Sequence, residues 1–456
     1  MNMEHIITIA ALGPDSGDLL TMGALSAMKA ADALILRTAR HGAVRILEEQ
    51  GVAYKTLDGL YERCEDFDEL CSRAVAALIK KALECETLCY AVSEPGSDAT
   101  VRALAKSLPE NVALRVAGGV SLAANAACAA IPFGVNTENL RTVTALSVSE
   151  MRVQADSPQV ICEIDSCYIA SDVKLWLSDL FDDEMTVYFM ENAAEPFPEA
   201  KPILLCELDR QAHYDHRTAV LVPRVSVYER TRASYEDFLE VIARLRAPGG
   251  CPWDRAQTHH TLRQYMIEEA CEAADAMNGD DDLKIADELG DVLLQVVLNS
   301  CIGAEHRAFT DRDVTSMAAR KMITRHEHVF GREKAEAAQD VVPVWENAKK
   351  KERGEQTALE RVLDVPVSLP ALMRAQKSIR REWQAKNETH VREEVLLAAR
   401  DAAGALCKEG AGERELGEAL CALCAAAHAM DLDAETALLS ALGRRIERLR
   451  NEEKKT

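Results

Sequence analysis

The sequence has few aromatic residues and no long uninterrupted apolar run. Phe, Trp and Tyr together make up 5% of its 456 residues. With so few rings and abundant Ala, at least part of the chain is expected to pack helix on helix. No segment reaches the roughly 18 to 20 apolar residues that a membrane-spanning helix needs. We therefore expect no membrane as a partner.

Positive charge is also in deficit. The chain has 53 Lys and Arg residues against 75 Asp and Glu residues, which gives a formal net charge of −22. An acidic surface repels the phosphate backbone that nucleic-acid-binding proteins must neutralise. We expect no nucleic acid as a partner, and a phosphorylated substrate needs local basic residues or bound divalent cations.

The N-terminus lacks the features of an export signal. The stretch "MNMEHIITIAALG" has no basic region, and its short apolar run ends at a turn, which is typical of a first strand. The 14 cysteines show no regular spacing, so reduced thiols are more consistent with the sequence than a disulfide framework. Together these features predict a cytoplasmic protein.

The length and the changes in pattern predict several domains. Up to about residue 225, short apolar runs alternate with amphipathic helical segments, which is typical of an α/β layer structure. From about Tyr235 the pattern changes to long helices with few β-branched runs. We predict a multidomain protein with an α/β domain at 1–225, a helical domain at 230–353 and a second helical domain at 364–456.

The helical part contains an internal repeat. The segment "ADELGDVLLQVVLNS" at 286–300 is similar to "ERELGEALCALCAAA" at 413–427. An acidic pair precedes each segment: Glu268 and Glu269 in the first, Glu393 and Glu394 in the second. Because Leu397 stands where the first copy has Glu272, we expect the second copy to be degenerate.

The first copy contains an acidic helix. On an ideal helix each residue advances by about 100°. Glu268, Glu272 and Asp275 then fall on one stripe, with Glu269 beside it. Taken alone, this pattern is that of an amphipathic helix with a solvated acidic face.

The helix that follows is apolar over roughly two-thirds of its circumference. Its narrow polar strip consists of Glu288, Asp291, Gln295 and Asn299. Such a helix is expected to be mostly buried. Buried carboxylates are costly unless a cation, a proton or hydrogen bonds compensate their charge.

Two acidic pairs, Glu269 with Glu272 and Glu288 with Asp291, have i, i+3 spacing on helices that a short "NGDDD" turn makes antiparallel neighbours. Four oxygen ligands between two helices suit magnesium or manganese. Zinc is disfavoured, because no HExxH pattern occurs. The alternative is a hydrated interface in a noncatalytic dimerisation module.

Several motifs in consecutive order resemble the MazG family of all-α nucleoside triphosphate pyrophosphohydrolases. They are "GGCPWDRAQTHHTLRQYMIEEACEAADAM", "DELGDVLLQVVLNS", "KMITRHEHVFG" and "VWENAKKKE". The family's hallmark is EExxE followed by ExxD. The resemblance implies that acidic residues bind magnesium and that water attacks the α-phosphate, yielding a nucleoside monophosphate and pyrophosphate.

The resemblance assigns roles by position. Glu269, Glu272, Glu288 and Asp291 would be the metal ligands, and Glu268 would be a second-site ligand or the base that orients water. Basic side chains and one aromatic ring complete the expected substrate site: Lys321, Arg325, His326, Trp345 and Lys349.

The first domain resembles the tetrapyrrole methylases, which precede MazG in proteins of the YabN type. Its loop "ALGPDSGDLLTMGA" is similar to the family's GxGxGDxxxLT start, and "YAVSEPGSDATV" extends the likeness. The residues at the positions expected to bind S-adenosylmethionine are Gly13, Gly17, Asp18, Pro95 and Gly96. Pro14 and Asp15 stand where glycine is expected. Where the family has a VPG turn, this chain has "AVSEPGSD", in which Ser93 and Glu94 displace Pro95 and Gly96. We therefore expect a vestigial or regulatory domain.

Two further expectations concern the whole protein. The alternative function is an S-adenosylmethionine-dependent methyltransferase in which the helical region serves only dimerisation. Metal sites between helices are commonly built in four-helix arrangements. Either a homodimer, which we favour, or the second copy is expected to complete such an arrangement.

Overall fold

A computed structural model describes most of the chain. The described residues are 5–61, 63–64, 66–331, 341, 345, 357–386 and 390–454. The chain divides into two compact units, Met1–Ile302 and Gly303–Thr456. The predicted boundaries at 225/230 and 353/364 stay predictions.

The first unit begins with a parallel five-stranded sheet in the order β3-β2-β4-β1-β5. Its strands are β1 (His5–Ala11), β2 (Ala33–Leu36), β3 (Lys55–Thr56), β4 (Thr87–Val92) and β5 (Val112–Ala117). The helices between them are α1 (Met22–Ala30), α2 (Val44–Glu49), α3 (Asp58–Tyr61), α4 (Phe67–Ala82) and α5 (Ala99–Lys106). The central strand β4 is buried from Leu88 to Val92, as expected of a parallel strand covered on both faces.

A second five-stranded sheet follows, in the order β6-β7-β10-β8-β9. Its strands are β6 (Arg141–Thr144), β7 (Gln159–Cys162), β8 (Thr186–Met190), β9 (Lys201–Leu204) and β10 (Ala219–Val222), with helices α6 (Leu122–Ala130) and α7 (Cys167–Ser178). Only β6 and β7 pair in parallel, and the other pairs are antiparallel. The predicted α/β architecture is confirmed, including late strands that pair without a crossover helix.

Four helices complete the first unit: α8 (Tyr235–Arg246), α9 (Pro252–Ala256), α10 (His259–Ala276) and α11 (Asp282–Glu305), the last of which extends past Ile302. Ile242, Leu262 and Val297 belong to the small core that α8, α10 and α11 share. The turn between α8 and α9 requires glycine, because a Cβ on Gly250 would lie 2.1 Å from the Leu245 carbonyl oxygen.

The described part of the second unit consists of helices. They are α12 (Asp311–Arg325), α13 (Glu327–Phe330), α14 (Ala358–Leu363), α15 (Ala371–Lys386), α16 (Arg392–Ala405), α17 (Glu413–Ala429) and α18 (Ala434–Glu453). Small side chains such as Ala399, Ala419 and Cys424 are buried in α16 and α17. Within the residues described, none of the helices combines the length and the apolar character that spanning a membrane demands.

The N-terminal half of α11 differs from the expectation of a mostly buried helix. Leu283 is 84% exposed and Leu289 is 45% exposed. Val297, Leu298 and Ile302, which lie in the C-terminal half, provide this helix's buried contribution to the shared core. The amphipathic pattern predicts which face of the helix is buried, but it does not predict how much of the helix is buried along its length.

Candidate metal and substrate site

Helices α10 and α11 bring three of the five predicted acids together. Thr258 begins α10 as its N-cap, and its side-chain oxygen accepts a hydrogen bond from the Thr261 backbone amide at 3.2 Å. Side-chain oxygens of Glu269, Glu272 and Glu288 lie within 4.8 Å of one another. The i, i+3 spacing on α10 and the antiparallel turn therefore place two carboxylates of one helix against a third on the next.

The electrostatics of Glu269 show the effect of this convergence. Partial burial raises the pKa of Glu269, and the negative charges of the neighbouring acids raise it further; these neighbours are Asp291, Glu272, Glu288 and Glu268. The charges of the four other predicted acids thus all act on Glu269. A group made only of hard carboxylate oxygens fits a magnesium ion, whose positive charge would relieve the repulsion.

A hydrogen bond also joins the two helices at the start of α10. The His259 Nδ1 atom lies 2.7 Å from Asn299 Oδ1, and the Asn299 amide donates to the Gln295 carbonyl at 2.7 Å. Because the amide oxygen only accepts, His259 donates from Nδ1. Asn299, which is part of the polar strip, therefore links helices. On α10 itself, Gln264 donates to the Glu268 carboxylate at 3.0 Å.

The raised pKa of Glu269 predicts a dependence of stability on metal and pH. The folded protein holds this proton more tightly than the unfolded chain, so metal-free stability falls as pH rises from 4.5 through the raised value. Glu269→Gln is expected to raise the melting temperature of the metal-free protein at pH 8 and to reduce the further rise on adding magnesium. Melting curves at pH 5 and pH 8, with magnesium or chelator, measure both effects. An undiminished magnesium effect would contradict the assignment of Glu269 as a ligand.

The predicted phosphate-binding residues lie in the second unit. Lys321 and Arg325 belong to α12, and His326 is its C-cap, with Nδ1 2.7 Å from the Met322 carbonyl oxygen. The Arg325 guanidinium lies over the Trp345 ring, 5.8 Å from its centroid. Lys349 lies outside the described residues. The structure thus pairs Arg325 with Trp345.

An exposed aromatic pair near the acids was not predicted from the sequence. The rings of Trp253 and Tyr265 lie edge to face, with centroids 6.0 Å apart. Trp253 is 53% exposed and Tyr265 is 38% exposed. Tyr265 precedes Glu269 by four residues, so the two share a helix face. The four-residue spacing of Tyr265 and Glu269 is the sequence feature that could have placed this ring beside the acids.

In the second copy, the positions that correspond to the predicted metal ligands have different roles. By the internal repeat, Glu415 corresponds to Glu288, but α17 begins at Glu413, so Glu415 lies in the first turn. There its carboxylate accepts a hydrogen bond from the Gly412 backbone amide at 2.8 Å, which lowers the pKa of Glu415. Leu397, in place of Glu272, is 49% exposed. The second copy thus uses one acid as a helix cap and lacks another.

A cleft of about 580 Å³ lies at the carboxyl ends of strands in both sheets of the first unit. Of the five residues predicted to bind S-adenosylmethionine, Gly13 lines this cleft. Gly17, Asp18, Pro95 and Gly96 are not among its lining residues, whereas Glu94 is.

Two of the three arginines that line this cleft have carboxylate partners: Arg37 lies 2.7 Å from Asp98, and Arg217 lies 2.5 Å from Asp215. Because four of the five residues expected to bind S-adenosylmethionine do not line the cleft, the expectation of a vestigial or regulatory domain stays a prediction.

Two family models match the chain. The model of the MazG nucleotide pyrophosphohydrolase domain matches residues 257–330, and that of the Tetrapyrrole (Corrin/Porphyrin) Methylases matches residues 7–203. The first match contains the acids of α10 and α11, and the second contains most of both sheets.

Two curated relatives and one solved structure are similar to the chain. The uncharacterized protein YabN of Bacillus subtilis is 34% identical over 82% of this chain and 76% of its own length. A nucleoside triphosphate pyrophosphohydrolase of Escherichia coli is 35% identical over 44% of this chain and 81% of its own length. The crystal structure of a uroporphyrin-III-C-methyltransferase from Thermus thermophilus aligns with 48% of this chain and 94% of that chain, at 14% identity and a TM-score of 0.37.

Proposed function

Because the chain belongs to the family of Bacillus subtilis YabN, with a tetrapyrrole methylase domain ahead of a MazG nucleotide pyrophosphohydrolase domain, we propose that it hydrolyses nucleoside triphosphates. The proposed products are a nucleoside monophosphate and pyrophosphate, and the proposed cofactor is magnesium, with manganese as a substitute. The observation that carries this proposal is the convergence of Glu269, Glu272 and Glu288 within 4.8 Å. The proposed role is removal of surplus or damaged nucleotides.

The acids have two proposed tasks. Glu269, Glu272, Glu288 and Asp291 hold the metal, which when bound neutralises the triphosphate and activates water. Glu268 lies on the adjoining edge of α10, where Gln264 donates to its carboxylate at 3.0 Å. This hydrogen bond orients Glu268 to accept a proton from water or to serve as a ligand at a second metal position.

Basic side chains would receive the rest of the triphosphate. With a net charge of −22, the protein surface repels a free triphosphate, so phosphate binding depends on local cations. We assign Lys321, Arg325, His326 and Lys349 to the phosphate oxygens, because charge-assisted hydrogen bonds from such groups are short and strong.

We assign the nucleobase to aromatic rings. Tyr265 lies one helical turn before Glu269 and contacts the exposed ring of Trp253 edge to face, and Trp345 is a third candidate. Stacking tolerates any base, because every base has a π-face. This arrangement favours a broad range of nucleotides over one base.

Trp253→Ala is expected to raise the KM for nucleoside triphosphates about tenfold and leave kcat within about twofold, because stacking stabilises the bound substrate and the transition state alike. Steady-state kinetics of pyrophosphate release measure the two constants separately. Trp253→Phe keeps a ring and should recover most of the affinity. An unchanged KM in the Ala variant would exclude Trp253 from base binding.

We propose a homodimer in which a second copy of the chain covers the apolar side chains left open on the helices. Leu289 and Leu293, one turn apart on α11, are 45% and 37% exposed. Neighbouring exposed apolar side chains favour association. We also propose that the region 364–456 is a degenerate second copy, which is supported by Leu397 and by the capping role of Glu415.

The deciding experiment is pyrophosphate release from a panel of ribo- and deoxynucleoside triphosphates, with magnesium or with chelator, and with the products separated by chromatography. Equimolar monophosphate and pyrophosphate, formed only with magnesium, are expected. Release of single phosphate groups, or no magnesium-dependent release from any nucleotide, would refute the proposal.

A further inference from the structure

Helices α10 and α11 are joined by apolar contacts and by a hydrogen bond, both at the end of the hairpin away from the acids. The apolar side chains that these two helices give to the shared core are Leu262, Val297, Leu298 and Ile302. Beside them, His259 Nδ1 donates to Asn299 Oδ1 at 2.7 Å. His259 precedes Glu269 by ten residues, so this hydrogen bond lies about 15 Å along α10 from the carboxylates.

At the acidic end of the hairpin, the two helices repel each other. Side-chain oxygens of Glu269, Glu272 and Glu288 lie within 4.8 Å of one another. Partial burial raises the pKa of Glu269, and the charges of the neighbouring acids raise it further. Leu289 and Leu293, on the same stretch of α11, are 45% and 37% exposed, so apolar contacts there are incomplete. The position of one helix against the other is therefore set mainly from the opposite end.

Asn299 is held by both atoms of its amide group. Its oxygen accepts from His259, and its nitrogen donates to the Gln295 backbone carbonyl oxygen at 2.7 Å. Gln295 is one turn nearer to the acids and is 5% exposed, but its Oε1 atom has no hydrogen-bond partner among the described residues. The Asn299 oxygen, and not the Gln295 oxygen, therefore connects the polar strip of α11 to α10.

The second copy shows that such a helix pair also packs without this link. By the internal repeat, Asn299 corresponds to Ala426 on α17, which is 4% exposed. Helix α17 still packs against α16. The same copy has Leu397 in place of Glu272. The acid and the polar link are thus absent together while the packing is kept, so packing alone does not require the link.

We propose that His259 and Asn299 are positioning residues for the metal site, because their hydrogen bond fixes where α10 lies along α11 and so how far Glu269 and Glu272 are from Glu288. Metal ligands must meet within a few tenths of an ångström, and residues that orient them commonly change metal affinity about 10-fold to 100-fold. This inference rests on the proposed function, since it requires the acids to hold a metal.

The test is a titration of the full-length protein with Mn²⁺, in which electron paramagnetic resonance measures the unbound ion. His259→Ala and Asn299→Ala are each expected to weaken Mn²⁺ binding roughly tenfold. His259→Asn keeps an N–H donor at the same number of bonds from the backbone and should bind within about threefold of wild type. His260→Ala, at the exposed next position on α10, is the matched control and should stay within about twofold.

Two further measurements separate positioning from a purely structural role. The double variant of His259→Ala with Asn299→Ala should bind Mn²⁺ no more weakly than either single variant, because each change alone already breaks the link. Melting temperatures are measured with Mn²⁺ and with chelator. A purely structural link would lower both equally, whereas a lost positioning link lowers the value with Mn²⁺ more, because the bound metal then stabilises the fold less.

The outcomes distinguish this inference from the proposed function. Wild-type affinity for Mn²⁺ in both single variants would overturn the inference and leave the proposed function standing. Losses that multiply in the double variant, or equal falls in melting temperature with and without Mn²⁺, would overturn it as well. Wild-type protein that binds no Mn²⁺ would refute the metal site on which both depend.

Discussion

Glu272→Gln and Asp291→Asn are each expected to lower magnesium-dependent pyrophosphate release roughly 100-fold or more, because each removes a carboxylate that would hold the metal. Glu272 lies in the group whose oxygens converge within 4.8 Å, and the charge of Asp291 acts on the same group. The substitutions keep size and hydrogen bonding but remove the negative charge. Initial rates measured across a range of magnesium concentrations report the loss.

The second copy supplies the matched control. By the internal repeat Glu418 corresponds to Asp291, and it lies on α17 with its carboxylate 3.0 Å from Arg414. Glu418→Gln is expected to leave the rate within about twofold, since an exposed ion pair of this kind contributes little. A comparable loss in Glu418→Gln would mean that the second copy takes part in the reaction.

Melting temperatures distinguish metal binding from other roles. Wild-type protein should be stabilised by magnesium, and Glu272→Gln should lose most of that effect, because a ligand that binds only the folded state stabilises it. Glu268→Gln serves as a contrast. If Glu268 orients water, its variant loses rate but keeps the magnesium effect, whereas a second-site ligand loses part of both.

Arg230→Ala is expected to destabilise the first unit by about 3 kcal/mol or more, because it leaves a buried carboxylate without its partner. The Arg230 guanidinium lies 2.6 Å from Asp237, and the two side chains are 2% and 11% exposed. Burial acts to raise the pKa of Asp237, but hydrogen bonds from Arg230 and Ser234 outweigh it and lower the pKa. Urea unfolding followed by circular dichroism gives the free-energy difference.

The pH dependence follows from the direction of that shift. A carboxyl group with a lowered pKa stabilises the fold above its ordinary pKa and loses this contribution as pH falls through the folded value. The difference between wild-type protein and Arg230→Ala should therefore shrink below pH 3.8, the ordinary value for Asp.

Two variants control for nonspecific effects of the substitution. Arg232→Ala, at an exposed position two residues away, should cost less than about 1 kcal/mol. In Arg230→Met with Asp237→Ser, no buried charge remains, so the double variant should recover much of the stability lost in Arg230→Ala. Equal losses in the free energy of unfolding for Arg230→Ala and Arg232→Ala would show that the buried ion pair is no more important for stability than an exposed arginine.

The convergence of these acids was predictable because helical spacing is a local property. The i, i+3 spacing of Glu269 with Glu272, and a short turn to the next helix, suffice to bring Glu288 near them. The exposure of Leu289 was not predictable, since periodicity identifies an apolar face but not what covers it. The exposure of Trp253 likewise depends on how α9 packs, which no local pattern shows.

Glu94 and Glu163, which both line the cleft of the first unit, illustrate a second limit of prediction from the sequence. The two residues are far apart in sequence and follow strands of different sheets, so no local pattern connects them. The sequence showed that Glu94 displaces an expected turn, but only the tertiary arrangement shows which charge faces it. The same limit applies to Arg230 and Asp237, whose importance comes from burial.

The capping role of Glu415 constrains any attempt to restore metal binding in the second copy. Leu397→Glu would supply the missing acid on α16, yet Glu415 would still be held by the Gly412 amide. Releasing Glu415 would leave that amide without its carboxylate acceptor and weaken the start of α17. Restoration would need the helix to begin about one turn earlier, as α11 does ahead of Glu288. The two copies are therefore separated by where the helix begins as well as by Leu397.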